Sequence, residues 1–232
     1  MDWKKGKFGL QKMTLLDYPG RVACTIFTTG CNFRCPFCHN GSLVKGTADL
    51  LDGEEIFEFL RKRAGILEGI CLTGGEPLLH KGVLSLMEEA RKLGYRVKLD
   101  TNGYLPELLE GVLKEGLADY VAMDIKNSPE KYAVTANVPD LDIGKIEESI
   151  ALLKSSSLPF EFRTTVVAPF HTPEDFDAIG KWLGDVPKYF LQKFVESGDL
   201  LGEGSAPVPE EEMRECLLRI RKYIPCAELR GM

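Results

Sequence analysis

No apolar run in these 232 residues approaches the ~18 needed to span a membrane. The polar N-terminus also lacks the apolar core of a secretory signal. Positive charge is not in excess: 29 Lys and Arg stand against 35 Asp and Glu, for a net charge of -6. That balance argues against a nucleic-acid binder. These absences lead to the expectation of a cytoplasmic protein in a reducing compartment, with no membrane or nucleic-acid partner. Disulfides are rare there, so Cys24, Cys71, Cys216 and Cys226 read as core or surface thiols. No second C-x2-C module is present, which excludes an appended ferredoxin-like domain. The basic residues Lys4, Lys5, Lys7 and Lys12 read as a solvated N-terminal arm.

The absence with the most consequence is local. Cys31, Cys35 and Cys38 stand in Gly30-Cys31-Asn32-Phe33-Arg34-Cys35-Pro36-Phe37-Cys38-His39-Asn40, and no fourth cysteine follows nearby. A structural zinc site closes its shell with four ligands. An electron-carrying iron–sulfur cluster is normally held by four thiolates. Three thiolates on one loop can hold three irons of a cubane and leave the fourth open to a small molecule. Two alternatives stand beside this one. A Cys3His zinc site would use His39, an awkward ligand directly after Cys38. The other alternative is a set of inert buried thiols.

Apolar, β-branched runs alternate with segments of helical period. Strands are expected at 22–28, 70–73, 96–100, 120–125, 160–167 and 188–195. Helices are expected at 53–64, 82–93, 106–115, 144–154, 173–183 and 209–223. Continuous apolar strands, each followed by an amphipathic helix, indicate a parallel sheet covered by helices. Eight such units close a complete barrel. Six give the expected fold class, a partial (β/α)6 barrel with parallel strands. No linker divides the chain, so residues 1–232 read as one domain, with a core at about 15–195 and a closing helix at about 209–223. The tract 198–209 reads as a loop.

In parallel α/β folds, ligands bind at the C-terminal ends of strands. Each candidate motif lies at such an end. The cysteine loop follows the first strand. Thr73-Gly74-Gly75-Glu76-Pro77 follows the second, where two glycines permit close backbone approach. Asp100-Thr101-Asn102-Gly103 follows the third and Asp124-Ile125-Lys126 the fourth. Each alone could be a cap or a turn. Together they set two carboxylates and a lysine on strand ends, and neighbouring carboxylates repel unless a cation or proton separates them. Arg163 lies on the fifth strand, where partial charge alternation leaves open whether it faces a site or solvent.

The cysteine loop, with Phe37 before its third cysteine, resembles that of the radical S-adenosylmethionine enzymes. His39-Asn40 narrows the resemblance to the activating enzymes of glycyl-radical proteins. It is densest over residues 17–45, and the opening Leu16-Asp17-Tyr18-Pro19-Gly20-Arg21 is similar to a longer group of anaerobic ribonucleotide reductase activators. The resemblance implies a 4Fe–4S cluster on Cys31, Cys35 and Cys38, with S-adenosylmethionine chelating the open iron. It implies cofactor contacts at Phe37, Asn40, Gly74, Gly75, Glu76, Asp100, Asn102, Asp124, Lys126 and Arg163. It further implies a possible monovalent cation at Asp100, Thr101, Asp124 and the Ala122 carbonyl, where oxygen-only ligands suit a hard ion. Val166-Val167-Ala168-Pro169 resembles the adenine-side strand end. Val195 departs from the family pattern, which has histidine at the end of the sixth strand in the pyruvate formate-lyase activator.

The activity so implied is reductive cleavage of S-adenosylmethionine to make a glycyl radical on a partner protein. The expected partner is an anaerobic ribonucleoside-triphosphate reductase, with flavodoxin or ferredoxin as electron donor. The alternatives are a pyruvate formate-lyase-type activator, a small-molecule radical enzyme such as a deazaguanine-type synthase, and a non-enzymatic iron–sulfur or zinc module.

Overall fold

The structure is a computed structural model and describes residues 3–232. Ten strands and eight helices follow one another as β1 Lys7–Thr14, β2 Ala23–Thr28, α1 Gly41–Lys45, β3 Leu51–Asp52, α2 Gly53–Arg63, β4 Gly69–Gly74, α3 Val83–Lys92, β5 Arg96–Thr101, α4 Pro106–Lys114, β6 Tyr120–Asp124, α5 Pro129–Ala136, α6 Ile143–Ser155, β7 Phe160–Ala168, α7 Pro173–Leu183, β8 Tyr189–Lys193, β9 Ala206–Pro207, α8 Glu210–Ile220 and β10 Glu228–Arg230. The six expected strands are β2, β4, β5, β6, β7 and β8, each followed by an expected helix. Their apolar residues are buried on both faces, as in Ile70, Cys71 and Leu72 of β4. That is why they read as continuous runs rather than alternating ones.

The chain forms two compact units. The first holds the described residues up to Asn32, with Ser42–Ala122 and Ser156–Pro159; the second holds Phe33–Gly41, Met123–Ser155 and Phe160–Met232. In the first, the strand order is β3-β1-β2-β4-β5 and then β6. The β2–β4 and β4–β5 pairs are parallel, with Thr25 opposite Cys71 and Cys71 opposite Lys98. Ile26, Ile56, Leu60, Ile70, Leu72, Val97 and Leu99 form a core with no exposure. In the second unit, β7 pairs β8 and β8 pairs β10, both parallel, while β9 runs antiparallel on β7. Phe162, Phe176, Tyr189, Leu191, Phe194, Met213 and Ile220 are fully buried there.

Besides the short elements α1, β3 and β9, the last of which lies in the tract 198–209 expected as a loop, three features differ from expectation. The basic segment is no free arm: residues 7–14 form β1, antiparallel to β2. Lys5, Lys7 and Lys12 stay in solvent, but Trp3 and Phe8 are buried, and burial of two large rings orders the segment. Lys4 lies over the Phe57 ring at 3.6 Å. The second difference is α5, a short helix opened by Pro129, whose weak apolar periodicity hid it. The third is the C-terminus. Helix α8 packs on α7, where Asp177 meets Arg219 at 2.8 Å and Lys222 at 3.2 Å. A Cβ on Gly180 would stand 2.6 Å from the Tyr223 ring, so glycine is what lets the two segments touch. Strand β10 then adds to β8, and Arg230 binds the buried Glu161 at 3.0 Å. None of the seven cysteines forms a disulfide, and Cys24 and Cys71 are fully buried. No helix among the described residues is long and apolar enough to cross a membrane.

Candidate functional site

In the first unit, the glycine turn after β4 packs against the start of the cysteine loop. The Gly75 amide donates to the Thr28 carbonyl and the Glu76 amide to the Gly30 carbonyl, both at 2.9 Å. A Cβ on Gly75 would stand 1.8 Å from the Gly30 oxygen, a distance no side chain can occupy. Gly74 has φ +115°, in the region that favours glycine. The motif's two glycines are thus fixed by the approach of one main chain to another.

Glu76 is 1% exposed and binds three donors. Its Oε1 accepts from the Leu78 amide at 3.1 Å and from Thr101 Oγ1 at 2.8 Å, and its Oε2 accepts from the Asn102 amide at 2.7 Å. The carboxylate therefore braces the end of β4 to the end of β5. Asn102 in turn reaches the cysteine loop. Its Nδ2 donates to Asn32 Oδ1 at 2.7 Å and lies 3.7 Å from Cys31 Sγ. Its own Oδ1 accepts from the Tyr104 amide at 3.0 Å, which closes the turn.

Asp100 is paired to Lys98, two residues earlier on the same face of β5. Lys98 is only 2% exposed, and its Nζ also lies 3.8 Å from Cys71 Sγ. Sequence reasoning missed Lys98. The signal was present: a lysine and an aspartate at i and i+2 in an otherwise apolar strand share one buried face. Asp17 of the opening motif accepts from Thr25 Oγ1 at 2.5 Å. Tyr18 packs against Gly69, where a Cβ would stand 2.9 Å from its ring. The opening motif therefore supports the strand starts, away from the motifs at the strand ends.

In the second unit, Asp124, Lys126 and Arg163 form one ionic group. Asp124 Oδ1 accepts from Arg163 Nε at 2.6 Å, and Oδ2 from Lys126 Nζ at 2.8 Å. Burial alone would raise the Asp124 carboxyl. The Arg163 and Lys126 charges outweigh it and hold the group well below the usual carboxylate range. Burial would likewise lower Lys126, but Asp124 outweighs it and holds the lysine charged. Arg163 thus faces Asp124 rather than solvent. Phe37 joins these three residues around a cavity of about 10 Å³, room for about one water.

The rest of the cysteine loop is held by neighbours that no motif announced. The Arg34 amide donates to the Ala136 carbonyl at 2.9 Å, and Asn137 Nδ2 donates to the Arg34 carbonyl at 3.3 Å. Helix α5 thereby grips the loop, and its Tyr132 hydroxyl donates to the Asp124 carbonyl at 3.2 Å. Phe37 lies against Phe170, with ring centres 5.6 Å apart, and His171 meets the Lys126 carbonyl at 2.8 Å. His39 stands edge-on to Phe194 at 5.1 Å, and half-buried Asn40 directly precedes α1. Val195 is exposed and lies beyond β8.

The electrostatic motive for a monovalent cation is met by the protein itself. Asp100 has Lys98, and Asp124 has Lys126 and Arg163. Thr101 Oγ1 is bound to Glu76, and Ala122 is fully buried. Among the described residues, no three His, Cys, Asp or Glu side chains converge as a shell for one metal ion. The residues do fit an iron–sulfur cluster. Three thiols share one loop, and Asn32 Nδ2, next to Cys31, is buried without a hydrogen-bond partner. An orphaned buried amide costs about 1–3 kcal/mol. An anionic acceptor such as cluster sulfide beside Cys31 would remove that cost.

Comparison with known proteins defines the class. The sequence matches the radical SAM superfamily over residues 25–183. The chain belongs to that superfamily and is an enzyme of it; membership implies a 4Fe–4S cluster and S-adenosylmethionine. It is 36% identical over 226 residues to a protein of Methanocaldococcus jannaschii provisionally described as a glycyl-radical enzyme activating enzyme, covering 93% of this chain and 92% of that one. It is 41% identical over 93 residues to the 7-carboxy-7-deazaguanine synthase of Hyperthermus butylicus, covering 38% of each. Among solved structures it is similar to SuiB of Streptococcus suis bound to its precursor peptide SuiA, with a TM-score of 0.65 at 12% identity over 88% of this chain. The chain spans 47% of the SuiB chain. SuiB has also been solved bound to S-adenosylmethionine. The likeness to SuiB shows the fold, the mostly parallel α/β arrangement expected of the partial-barrel class.

Proposed function

We propose that this protein is an activase that makes a glycyl radical on a separate protein. The observation that carries this is the end-to-end similarity to a relative described as a glycyl-radical enzyme activating enzyme. The small-molecule relatives match less: a deazaguanine synthase over 38% of the chain, and a GTP 3',8-cyclase of Moorella thermoacetica at 29% identity over 87% of this chain and 64% of its own length. A fold shared with an enzyme solved on a peptide is compatible with a polypeptide target.

Cys31, Cys35 and Cys38 supply the thiolates for the cluster, and Asn32 and Asn102 supply amide donors beside Cys31. When bound, the cluster and S-adenosylmethionine supply the organic radical. The main chain of Gly74 and Gly75 holds the cofactor's amino end, with the Glu76 carboxylate keeping that turn in place. Asp124, Lys126 and Arg163 together carry one net positive charge in a partly dry setting, which suits a carboxylate. Asp100 is read as lining the carboxylate and ribose side, with Asn102 and Asn40 as further cofactor contacts. Phe37 supplies an apolar wall. The chain acts in the cytoplasm with flavodoxin or ferredoxin as donor. The preferred target is an anaerobic ribonucleoside-triphosphate reductase, on the opening motif and the family resemblance. A glycine suits the chemistry because no side chain obstructs its Cα.

Electron paramagnetic resonance of mixed proteins tests this. Reduced activase, S-adenosylmethionine and the reductase should give a glycyl doublet on the reductase. A doublet on a formate lyase instead would move the target within the class. Turnover of a small molecule, with no doublet on any glycyl-radical protein, would overturn the activase reading.

A further inference from the structure

The tract between β8 and α8 carries no motif, yet its middle lies along the cysteine loop within the second unit. Three main-chain hydrogen bonds join them. The Gly41 amide donates to the Asp199 carbonyl at 3.0 Å, the Leu201 amide to the Cys38 carbonyl at 3.2 Å, and the Gly202 amide to the Pro36 carbonyl at 2.9 Å. The approach is close at both ends. A Cβ on Gly41 would stand 2.7 Å from the Asp199 oxygen, and one on Gly202 would stand 3.0 Å from Pro36 Cβ. Gly198 and Gly204 flank the segment, both at φ +78° with open space where a Cβ would be. Glycine is needed at those two positions for the backbone turn, not for room. Between the turns, Leu200 and Leu201 are half-buried, whereas Glu196, Ser197 and Glu203 are exposed.

We infer that residues 199–202 are a strap that positions the second and third cysteines for the cluster. The role, though not the contact, rests on the cluster reading above. Inside the loop, the Cys38 amide donates to the Cys35 carbonyl at 3.1 Å. That turn leaves the carbonyls of Pro36 and Cys38 to find donors elsewhere, and the strap provides both. Groups behind the ligands orient metal-binding side chains and set how firmly the metal is held. Here that support is main chain, which explains why no side-chain motif in 199–202 marks it. The strap makes Leu201 and Gly202 positioning residues, distant in sequence from every cysteine they serve.

The test compares Leu201→Pro, which removes the amide donor to Cys38, with Leu201→Ala, which keeps it. In metal-free protein, iodoacetamide should label Cys35 and Cys38 about tenfold faster in Leu201→Pro than in the wild type, with Cys24 unchanged as a reporter of the intact fold. After reconstitution, the same variant should lose iron to a chelator about fivefold faster. Leu201→Ala should match the wild type in both. Equal labelling of Leu201→Pro and Leu201→Ala would overturn the strap. If Cys24 also becomes reactive, the variant has unfolded, and hydrogen exchange on the wild type decides. Amides of Gly41, Leu201 and Gly202 should then exchange at least about tenfold slower than those of Glu196 and Ser197, and equal rates would overturn the strap. A wild-type chain that takes up no iron would refute the cluster reading, while the thiol comparison would still decide the strap.

Discussion

The two compact units hold their share of the motif residues by different means. In the first, the β4 and β5 ends are tied by hydrogen bonds among neighbouring motif residues: Glu76 to Thr101 and Asn102, and Asn102 to Asn32. In the second, an ionic group of Asp124, Lys126 and Arg163 stands beside a cysteine loop gripped from afar by α5 and by residues 199–202. The first arrangement is built from the motifs themselves. The second depends on segments that carry none. A motif can therefore name a site's ligands while the residues that hold those ligands stay anonymous.

The largest expected effect separates ligands from supports. Cys35→Ser should abolish the iron content and iron–sulfur absorbance of reconstituted protein, while thermal unfolding of the metal-free chain shifts little. Loss of the fold along with the iron would make Cys35 a core residue first.

Glu76→Ala should cost about 3–5 kcal/mol, because buried donors at Leu78, Thr101 and Asn102 lose a charged acceptor together. Urea unfolding of the metal-free protein measures this. A loss below about 1 kcal/mol would show that the brace in the first unit is not needed. Gly75→Ala forces two main chains apart and should cost about 3 kcal/mol or more. The same change at Gly111, where a Cβ meets nothing within 4 Å, should be neutral or stabilising. Equal effects at the two positions would refute the contact with Gly30.

Arg163→Met sharpens the contrast through pH. The folded Asp124 carboxyl is held below its usual range, so its pairing stabilises the fold fully above about pH 4, and that stability is lost as pH falls through the folded value. The variant should be about 1–2 kcal/mol less stable at neutral pH. The gap from the wild type should narrow as the pH drops below about 4. A gap independent of pH would mean that Arg163 acts by packing alone. The smallest effect is expected for Tyr132→Phe, about 1 kcal/mol, from one hydrogen bond to the Asp124 carbonyl. No change in urea unfolding would remove α5 from the support of that strand end.

The same contrast explains what could be read from the chain alone. The six strand–helix units were legible because strands buried on both faces are continuous apolar runs. The glycine turn, Asp100, Asp124 and the cysteines were legible because their spacing is local. Strand β1 was hidden because only Trp3, Phe8 and Thr14 of its neighbourhood are buried, amid exposed lysines. Lys98 was missed because its importance lies in burial. Arg163 could not be oriented by periodicity, since Glu161 and Arg163 share a face and each finds its own opposite charge. The strap was illegible in principle, since backbone amides are present at nearly every residue and only the fold selects which ones matter.

The proposed activity is the making of a radical at a glycine of another protein. The most direct measurement is the paramagnetic resonance spectrum of activated reductase prepared twice, with ordinary glycine and with glycine deuterated at Cα. The expected result is a doublet that collapses to a single line on deuteration, because one Cα hydrogen causes the splitting. A signal that is unchanged by deuterated glycine, or that stays on the activase chain, would contradict it.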